Sequence, residues 1–557
     1  MNRRLVTYLV LGAALLAAFL LLATTAPCAA EQRVVVSPID ATDVDVTLDS
    51  SPARLRGEAR LRLKKPVLPG EEIGLLLNRE LTVLAVTDGA GRPLDYERHD
   101  ASLTVRSATK IPGNAIDVIR IRYQGSFSER VAEINFYNAW VGSDLSYGLN
   151  AGRWYPQWSG SDRRSRGNLS FTVPENWSVA ASGKLTAETK LVSGRRSDFR
   201  ASVPVAFSFA AGPFHVLRKD VDGVEVGVFL LGESPQEAER RLATCSEIVR
   251  FLTAEFGMFP YETYSVVDIP QRLLGNSGGG SYEGLVFYPP GPFFASPNAL
   301  AHEIGHLWWA RTNFVGSADG PVINEGLAQM SAVLYLEHRF GEAALRRILR
   351  DGALELGLVH SARLYFRAIQ SPAAPSGPLS GLLRGEDLEL GIPAPDKFNT
   401  LHMLANTKGC FVYVMLRDLI GREAFRAGLR RAIEHFGWKS MGVADLRAEF
   451  ERAAGRDLGW FFDQWFFRRG APEFVLSTET VARGEQWEVK GSIRQLRDVY
   501  RVTAEIAFVN GASREVHRVD ITERETPFSV VLPFKPDAVL FDPDYKILRW
   551  TDEFKTQ

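Results

Sequence analysis

The segment Ala301-His302-Glu303-Ile304-Gly305-His306 decides how the rest of this chain is interpreted. On a helix, His302 and His306 are four residues apart and lie on one face, so both imidazoles can reach one ion. Glu303 lies about a third of a turn away, near such an ion but not forced onto it. That position suits a base that takes a proton from water. The pattern predicts a metal site with a general base beside it.

The third ligand is predicted to come from the next helix. Asn324-Glu325-Gly326 begins eighteen residues after His306, and a helix is predicted from about Glu325 to Phe340, ended by Gly341. Two histidines and one carboxylate leave an open coordination position, which is typical of a catalytic zinc and not of a closed structural one. We therefore predict one zinc ion per chain, held by these three side chains.

This pattern resembles that of the gluzincin metallopeptidases, the family of membrane alanyl aminopeptidase and the leukotriene hydrolases. Upstream, Phe256-Gly-Met-Phe-Pro-Tyr261 is similar to a Phe-Gly-x-Tyr-Pro-Tyr stretch of that family. Downstream, the tryptophan at Trp308, the Lys408-Gly409 pair and the stretch from Trp465 to Pro472 resemble its later landmarks. The resemblance implies a saddle-like β domain, a thermolysin-like catalytic domain, a β sandwich and a zinc-dependent peptidase activity.

A substrate site is implied by the same resemblance. The family's exopeptidase motif, Gly-x-Met-Glu-Asn, has its counterpart in Gly280-Ser281-Tyr282-Glu283-Gly284, with the glutamate kept. Glu283 would then bind the free α-amine of a peptide, with Gly280 and Tyr282 beside the substrate. Without the resemblance, a turn carboxylate in a glycine-rich loop is the preferred interpretation of Glu283.

The chain departs from the family where an oxyanion donor is expected. The family has a tyrosine two residues before its Lys-Gly pair, and its hydroxyl stabilises the tetrahedral intermediate. Asn406 stands at that position, so it is predicted to be catalytic, with a shorter reach than tyrosine. His402, one turn earlier on the same helix face, is a second candidate, and a surface histidine is its alternative interpretation. The family's tryptophan three residues before the zinc glutamate is Val322 here.

Hydrophobic periodicity predicts an α+β multidomain fold. Residues 31 to about 217 read as strands, as where Ala59, Leu61 and Leu63 alternate with charged residues. The predicted domains are an amino-terminal β domain over 31–217, a zinc catalytic domain over 218–470 and a carboxy-terminal β sandwich over 471–557. Helices are predicted over Pro235 to Phe256, from the cap Ser296-Pro297 to about Arg311, and from near Leu401 to Arg469. A long loop is predicted from Gln370 to Asp396, where proline, glycine and serine are frequent.

The first 30 residues are predicted to be a targeting segment. Arg3 and Arg4 precede an uncharged run from Leu5 to Ala23, and Cys28-Ala29-Ala30 places small residues where a signal peptidase can cut. The run is also nearly long enough to span a bilayer, so an uncleaved anchor stays open. We expect an exported protein in the periplasm, the extracellular space or on the outer face of a membrane. Contact with a membrane is expected only through this segment, and only if the segment is not cleaved.

Charge and cysteine content exclude several classes. With 65 basic and 66 acidic side chains, the net charge is −1, which excludes a generally basic nucleic-acid binder. Three cysteines are too few for a disulfide scaffold. Cys245 and Cys410 either pair in an oxidising compartment or are two buried thiols.

Two functions from different classes remain. The first is an exported zinc aminopeptidase that cleaves peptides with a free amino terminus through a zinc-activated water. A variant of this function is a zinc peptidase or hydrolase whose substrate specificity differs from that of the family. The second is a peptide-binding or assembly module on a degenerate metallopeptidase scaffold. The intact ligand set and Glu303 favour the enzyme, whereas Asn406 mildly favours the binding module.

Overall fold

The computed structural model describes residues 37–555, except 108–114, 132–135, 233, 276–278, 292–294, 310–319, 354–359 and 371–385. The targeting segment therefore lies outside the described residues. Contacts divide the chain into two compact units, one that ends at Ala295 and one that begins at Ser296. This division lies inside 218–470, which the sequence analysis assigns to one domain, and the predicted domain boundaries stay predictions.

The unit that ends at Ala295 consists mainly of strands. A seven-stranded sheet has the order β14-β15-β12-β1-β2-β7-β4, a five-stranded sheet β13-β16-β10-β9-β8, and a four-stranded sheet β11-β3-β6-β5. The strands are β1 Ile39–Ser50, β2 Ala53–Val67, β3 Glu72–Leu76, β4 Thr82–Asp88, β5 Asp95–His99, β6 Ser102–Arg106, β7 Ile116–Gly125, β8 Ser128–Val131, β9 Phe136–Val141, β10 Ser146–Gly148, β11 Gln157–Trp158, β12 Ser165–Val173, β13 Ser178–Ala181, β14 Lys184–Leu191, β15 Gly194–Val205 and β16 Phe209–Gly212.

Strand β2 shows why these residues form a sheet. Ala59 and Leu61 are fully buried, whereas Arg60 between them and Arg62 after them are exposed. One face of the strand therefore packs into the core and the other contacts water, as the alternation predicted. β2 pairs antiparallel with β1 and with β7, so it lies in the interior of the largest sheet.

A mixed sheet completes this unit. Its order is β17-β18-β19-β21-β20, and β19 is parallel to both β18 and β21. The crossover between β18 and β19 is helix α1, which begins after the cap Ser234 and ends before Gly257, as predicted. A buried ion pair of 2.8 Å between Arg241 and Asp268 fastens α1 to the sheet. The elements are β17 His215–Val221, β18 Val224–Leu230, α1 Pro235–Phe256, β19 Thr263–Asp268, α2 Gln271–Leu274, β20 Gly280–Tyr282 and β21 Leu285–Tyr288.

The unit that begins at Ser296 consists of helices followed by two small sheets. Its helices are α3 Pro297–Trp309, α4 Gly320–Phe340, α5 Glu342–Asp351, α6 Ala362–Gln370, α7 Phe398–Leu404, α8 Cys410–Ile420, α9 Arg422–Phe436, α10 Val443–Ala454 and α11 Gly459–Trp465. A π-helical turn, Ala405–Gly409, joins α7 directly to α8. The final strands are β22 Phe474–Arg483, β23 Gln486–Gln495, β24 Val502–Asn510, β25 Ser513–Ile521, β26 Glu525–Leu532 and β27 Ala538–Phe541, in the orders β22-β23-β26 and β25-β24-β27.

The structure confirms some of the predicted helix ends and contradicts others. Helix α3 begins at the predicted cap, where the Ser296 hydroxyl accepts the Ala299 N–H over 3.3 Å, but the predicted end near Arg311 lies outside the described residues. The predicted start of α4 was wrong, because the helix already includes Gly320 and places Glu325 more than one turn inside it. Its end at Phe340 is as predicted, since Gly341 has a φ of 83°.

Smaller differences occur towards the carboxyl end. Helices resume at Phe398 instead of Leu401, and the last helix ends at Trp465 instead of Arg469. Most of the predicted loop from Gln370 to Asp396 lies outside the described residues. The return to strands after Pro472 is confirmed by β22.

Both described cysteines are free and buried, which supports the interpretation as two thiols. Burial raises the pKa of the Cys245 thiol to about 12. Among the described helices, none combines the length and the apolar character that crossing a bilayer requires.

Candidate active site

The site is built where helices α3 and α4 approach closely. Gly305 permits this approach, because a Cβ at that position would lie 2.8 Å from Cβ of Ser331 and 3.1 Å from the carbonyl oxygen of Ala328. Trp309 adds a hydrogen bond of 3.0 Å from its indole nitrogen to the Ser331 hydroxyl. The histidines of α3 thereby come within reach of Glu325 on α4.

Three side chains converge on one point. His302 Nε2 and His306 Nε2 are 3.1 Å apart, and Glu325 Oε2 lies 3.5 Å from the first and 3.6 Å from the second. Ligand atoms at about 2.0–2.1 Å from a tetrahedral zinc ion are about 3.4 Å apart, so these distances fit such an ion closely. Two imidazole nitrogens and one carboxylate oxygen are also ligands that zinc commonly takes in catalytic sites.

The remaining ring nitrogens orient both histidines. His306 Nδ1 is 2.8 Å from Oδ1 of Asn324, and His302 Nδ1 is 3.2 Å from Oε1 of Gln329. Because an amide oxygen only accepts, each imidazole donates from Nδ1 and keeps the Nε2 lone pair for a metal. Gln329 is held in turn by donating from Nε2 to Oδ1 of Asn298 over 2.9 Å.

Sequence reasoning did not assign these amide partners. Gln329 follows Glu325 by four residues and therefore shares its helix face, which was an available signal. Asn298 is fully buried near the start of α3, and no spacing rule distinguishes it from an ordinary capping residue.

The surroundings of Glu325 favour the ionised form of its carboxylate. Burial opposes ionisation of Glu325, but the charges of His402 and His306 and a hydrogen bond with His302 outweigh it and hold the pKa of that carboxyl well below its usual range. For His302, burial lowers the pKa, and the interactions with Glu325 and Glu303 raise it by more. An anionic oxygen therefore faces the two Nε2 atoms, which suits a divalent cation.

Glu303 occupies the position expected of a base. It lies on α3 between the two ligand histidines in sequence, and its side chain is 7% exposed. Its negative charge acts on His302, which indicates that its carboxylate lies near that imidazole. Its catalytic role stays a prediction.

Further polar side chains surround the same carboxylate. His402 is buried, so its interpretation as a surface histidine was wrong, and its Nε2 is 3.6 Å from Glu325 Oε2. Asn406 is fully buried and donates from Nδ2 to the same oxygen over 3.3 Å. Sequence reasoning missed His360, whose pKa is lowered to about 3 by burial and by the charges of His302 and His402. No motif or spacing marks His360.

The predicted substrate residues lie in the unit that ends at Ala295. Glu283 is 8% exposed and stands in the turn between β20 and β21, where Gly284 has a φ of 79°. The main chain of Gly280 pairs with Phe287, and the half-buried Tyr282 ring lies 5.3 Å from the Phe287 ring. The substrate roles of Glu283, Gly280 and Tyr282 stay predictions.

Comparison with known proteins connects this geometry to a family. Residues 296–465 match the model of the peptidase family M1 domain. These residues form an M1 peptidase domain. The resemblance to gluzincin metallopeptidases that the sequence analysis stated is thus confirmed, and the domain contains the whole His302, His306 and Glu325 set.

Curated relatives match this chain in part. Aminopeptidase N of Lactococcus lactis subsp. lactis is 26% identical over 296 residues, which are 49% of this chain and 31% of that protein. Glutamyl aminopeptidase of Bos taurus is 22% identical over 296 residues, which are 50% of this chain and 29% of that protein. The chain therefore spans less than a third of the length of these relatives.

Solved M1 structures share the fold. An M1 zinc metallopeptidase mutant of Deinococcus radiodurans, bound to a Tyr-Ser-Ala substrate, superposes with a TM-score of 0.58 at 19% identity, covering 77% of this chain and 93% of that one. Aminopeptidase A of Legionella pneumophila, in complex with aspartic acid, gives a TM-score of 0.61 at 16% identity, covering 92% and 59%. The predicted α+β multidomain class is confirmed.

Proposed function

We propose that this M1 protein is a zinc aminopeptidase that removes residues from the free amino end of peptides. The observation that carries the proposal is the triangle of His302 Nε2, His306 Nε2 and Glu325 Oε2, with sides of 3.1, 3.5 and 3.6 Å. The names of the M1 relatives, several of them aminopeptidases, and the tripeptide bound to the Deinococcus neighbour support peptides as the substrate class.

His302, His306 and Glu325 would hold the zinc ion. An ion held by these side chains would lower the pKa of a water molecule to about 7 and would polarise a carbonyl group. Asn324 and Gln329 keep the two imidazoles in the orientation that this binding requires.

Glu303 would move the proton. Its carboxylate takes a proton from the attacking water, whose oxygen adds to the carbonyl carbon of the first peptide bond. The resulting carboxylic acid then gives that proton to the leaving nitrogen while the C–N bond breaks. The products are one free amino acid and a peptide shortened by one residue.

Glu283 would set where the chain is cut. A buried carboxylate that receives the substrate's α-ammonium group places the first peptide bond, and no later one, at the reacting position. Tyr282 and Gly280, on the strand that leads to Glu283, would line the same part of the substrate.

A panel of aminoacyl fluorogenic substrates, assayed with and without a chelator, tests the proposal. We expect turnover that the chelator abolishes and that added zinc restores. Binding of peptides without turnover by fully zinc-loaded protein would instead favour a peptide-binding module on this scaffold.

We also propose that the protein is exported. The support is the sequence of residues 1–30, with its basic start, its apolar run and its small residues before Glu31. Expression of the full chain in a bacterium, followed by fractionation and mass determination of the amino terminus, tests this. Intact protein in the cytoplasmic fraction would contradict it.

A further inference from the structure

Glu325 uses one of its two oxygens for every close polar contact described above. Its Oε2 faces Nε2 of His302 and of His306, and Nε2 of His402 lies 3.6 Å from it. The same oxygen accepts a hydrogen bond from Nδ2 of Asn406 over 3.3 Å. A carboxylate oxygen has two lone-pair directions, so it can bind an ion through one and accept an N–H through the other. The orientation of Oε2 therefore depends on Asn406 as well as on the ion.

The side-chain amide of Asn406 uses both of its hydrogens in hydrogen bonds within the protein. One N–H is directed at Glu325 Oε2, and Nδ2 also lies 3.2 Å from the main-chain oxygen of His402. A primary amide carries two N–H donors and no more. Its Oδ1 accepts no hydrogen bond from the described residues, and an oxygen acceptor repels a developing oxyanion. Asn406 is therefore poorly suited to donate to a substrate.

The backbone around Asn406 brings it to Glu325. The π-helical turn Ala405–Gly409 contains Asn406, and such turns shift side chains relative to a regular helix. Gly326 permits its approach to α4, because a Cβ there would lie 3.3 Å from the Ala405 carbonyl oxygen and 3.0 Å from Cε2 of Tyr413. The Tyr413 hydroxyl adds a hydrogen bond of 3.1 Å to the carbonyl oxygen of Val322.

We propose that Asn406 is a positioning residue that holds the zinc-binding oxygen of Glu325, and not the oxyanion donor of the reaction. His402 fixes Asn406 through its carbonyl group. The inference rests on the proposed function, because it requires a metal ion on Glu325.

Zinc affinity of the resting protein distinguishes the two roles. Asn406→Leu removes both N–H donors at similar volume, and we expect the zinc dissociation constant, measured by chelator competition, to rise about 10- to 100-fold. The visible absorption of the cobalt-substituted protein without substrate should change as well. If Asn406 were the oxyanion donor, Asn406→Leu would leave the zinc dissociation constant and the cobalt spectrum unchanged. It would instead lower kcat about 10²- to 10³-fold at saturating zinc, and that result would overturn the proposal.

Thr407→Val is the matched control. Thr407 is buried on the same turn, and its hydroxyl binds the carbonyl oxygen of Met403 instead of the metal site. We expect its zinc affinity to equal that of the wild type even if its melting temperature falls. If Thr407→Val and Asn406→Leu weaken zinc binding equally, the cause is the stability of the helix and not the contact with Glu325. That result would overturn the proposal.

Two further measurements keep the test decisive. If Asn406→Leu does not fold, Asn406→Ala removes the same donors without added bulk and must give the same rise in the zinc dissociation constant. Wild-type protein that takes up no zinc would overturn the proposed function together with this inference, whereas equal zinc affinity in wild type and variant would overturn this inference alone.

Discussion

His306 Nδ1 lies 2.8 Å from Oδ1 of Asn324, and this contact connects the two helices of the candidate metal site through a residue that is adjacent to Glu325. The amide oxygen accepts the Nδ1 hydrogen and leaves the lone pair of Nε2 available to bind an ion. The asparagine before Glu325 thus orients a ligand on the neighbouring helix.

Replacing Asn324 should weaken metal binding. Asn324→Leu removes the acceptor, and we expect the zinc dissociation constant to rise about 10- to 100-fold. Asn324→Asp keeps an acceptor oxygen at the same position and should stay much closer to the wild type. Chelator competition measures both variants, and equal losses in the two would show that shape, and not the acceptor, matters at this position.

Glu303→Gln should separate metal binding from catalysis. The amide has no basic oxygen to take the proton from water, so we expect kcat to fall by at least about 10²-fold. Zinc content, measured by elemental analysis, should stay near one equivalent, because Glu303 is not a ligand. Loss of zinc from this variant would mean that the roles of Glu303 and Glu325 are assigned wrongly.

Glu283→Ala should remove the preference for a free amino terminus. Wild-type protein is expected to cleave free peptides and to reject acetylated ones, whereas the variant should show a raised KM for free peptides and little discrimination. Glu262→Ala is a matched control, because that carboxylate is exposed directly before β19 and accepts a hydrogen bond from the Ser202 hydroxyl. Wild-type cleavage of acetylated and free peptides at equal rates would contradict the aminopeptidase assignment.

Gly305→Ala should disturb the site through packing. An alanine is normally favoured over glycine within a helix by about 1 kcal/mol. Here the added methyl group would lie 2.8 Å from Cβ of Ser331, so α3 and α4 must separate, at a cost of about 1–3 kcal/mol. We expect a lower melting temperature and weaker zinc binding.

The second substitution Ser331→Gly checks that interpretation, because it removes the two closest of the contacted atoms and leaves only the Ala328 carbonyl oxygen. The double variant should recover part of the zinc affinity, although it also loses the Trp309 hydrogen bond to Ser331. If the double variant recovers no zinc affinity, the contact with Ser331 is not the cause of the Gly305→Ala effect.

Low pH should weaken the ion pairs that Glu337 forms with Arg417 and Arg422 in the unit that begins at Ser296. Burial raises the pKa of Glu337, but the hydrogen bond from Arg422 and the charges of Arg417 and Arg422 outweigh it, so the net shift is downwards from 4.5. A lowered folded-state pKa stabilises the protein above pH 4.5, and this stabilisation is lost as the pH falls through the folded-state value.

Glu337→Gln should therefore destabilise the protein by about 3 kcal/mol near pH 7, since it leaves Arg417 buried without its main partner. The difference from the wild type should shrink as the pH falls below 4.5. Denaturant unfolding at several pH values measures this. Glu342→Gln is the control, because that carboxylate is largely exposed and contacts the same Arg422, so a change below about 1 kcal/mol is expected.

Local patterns in the sequence predicted many of the elements. Ser234 and Gly257 mark the two ends of α1, and Ser296-Pro297 marks the start of α3, because caps and helix stops depend on neighbouring residues only. The start of α4 was missed although the sequence offers a signal for it, since Asp319, a residue type favoured at helix starts, directly precedes Gly320-Pro321.

The sequence by itself determined the metal-binding set, since the spacing of His302, His306 and Glu325 and the family resemblance rest on residue types alone. Only the tertiary structure decided what surrounds that set. Gln329, Asn406 and His360 come from three different segments, and which polar side chain meets a ligand depends on how closely two helices pack. Gly305 and Gly326 permit that close packing because the atoms that face them belong to residues distant in the sequence. A local sequence pattern therefore cannot predict it.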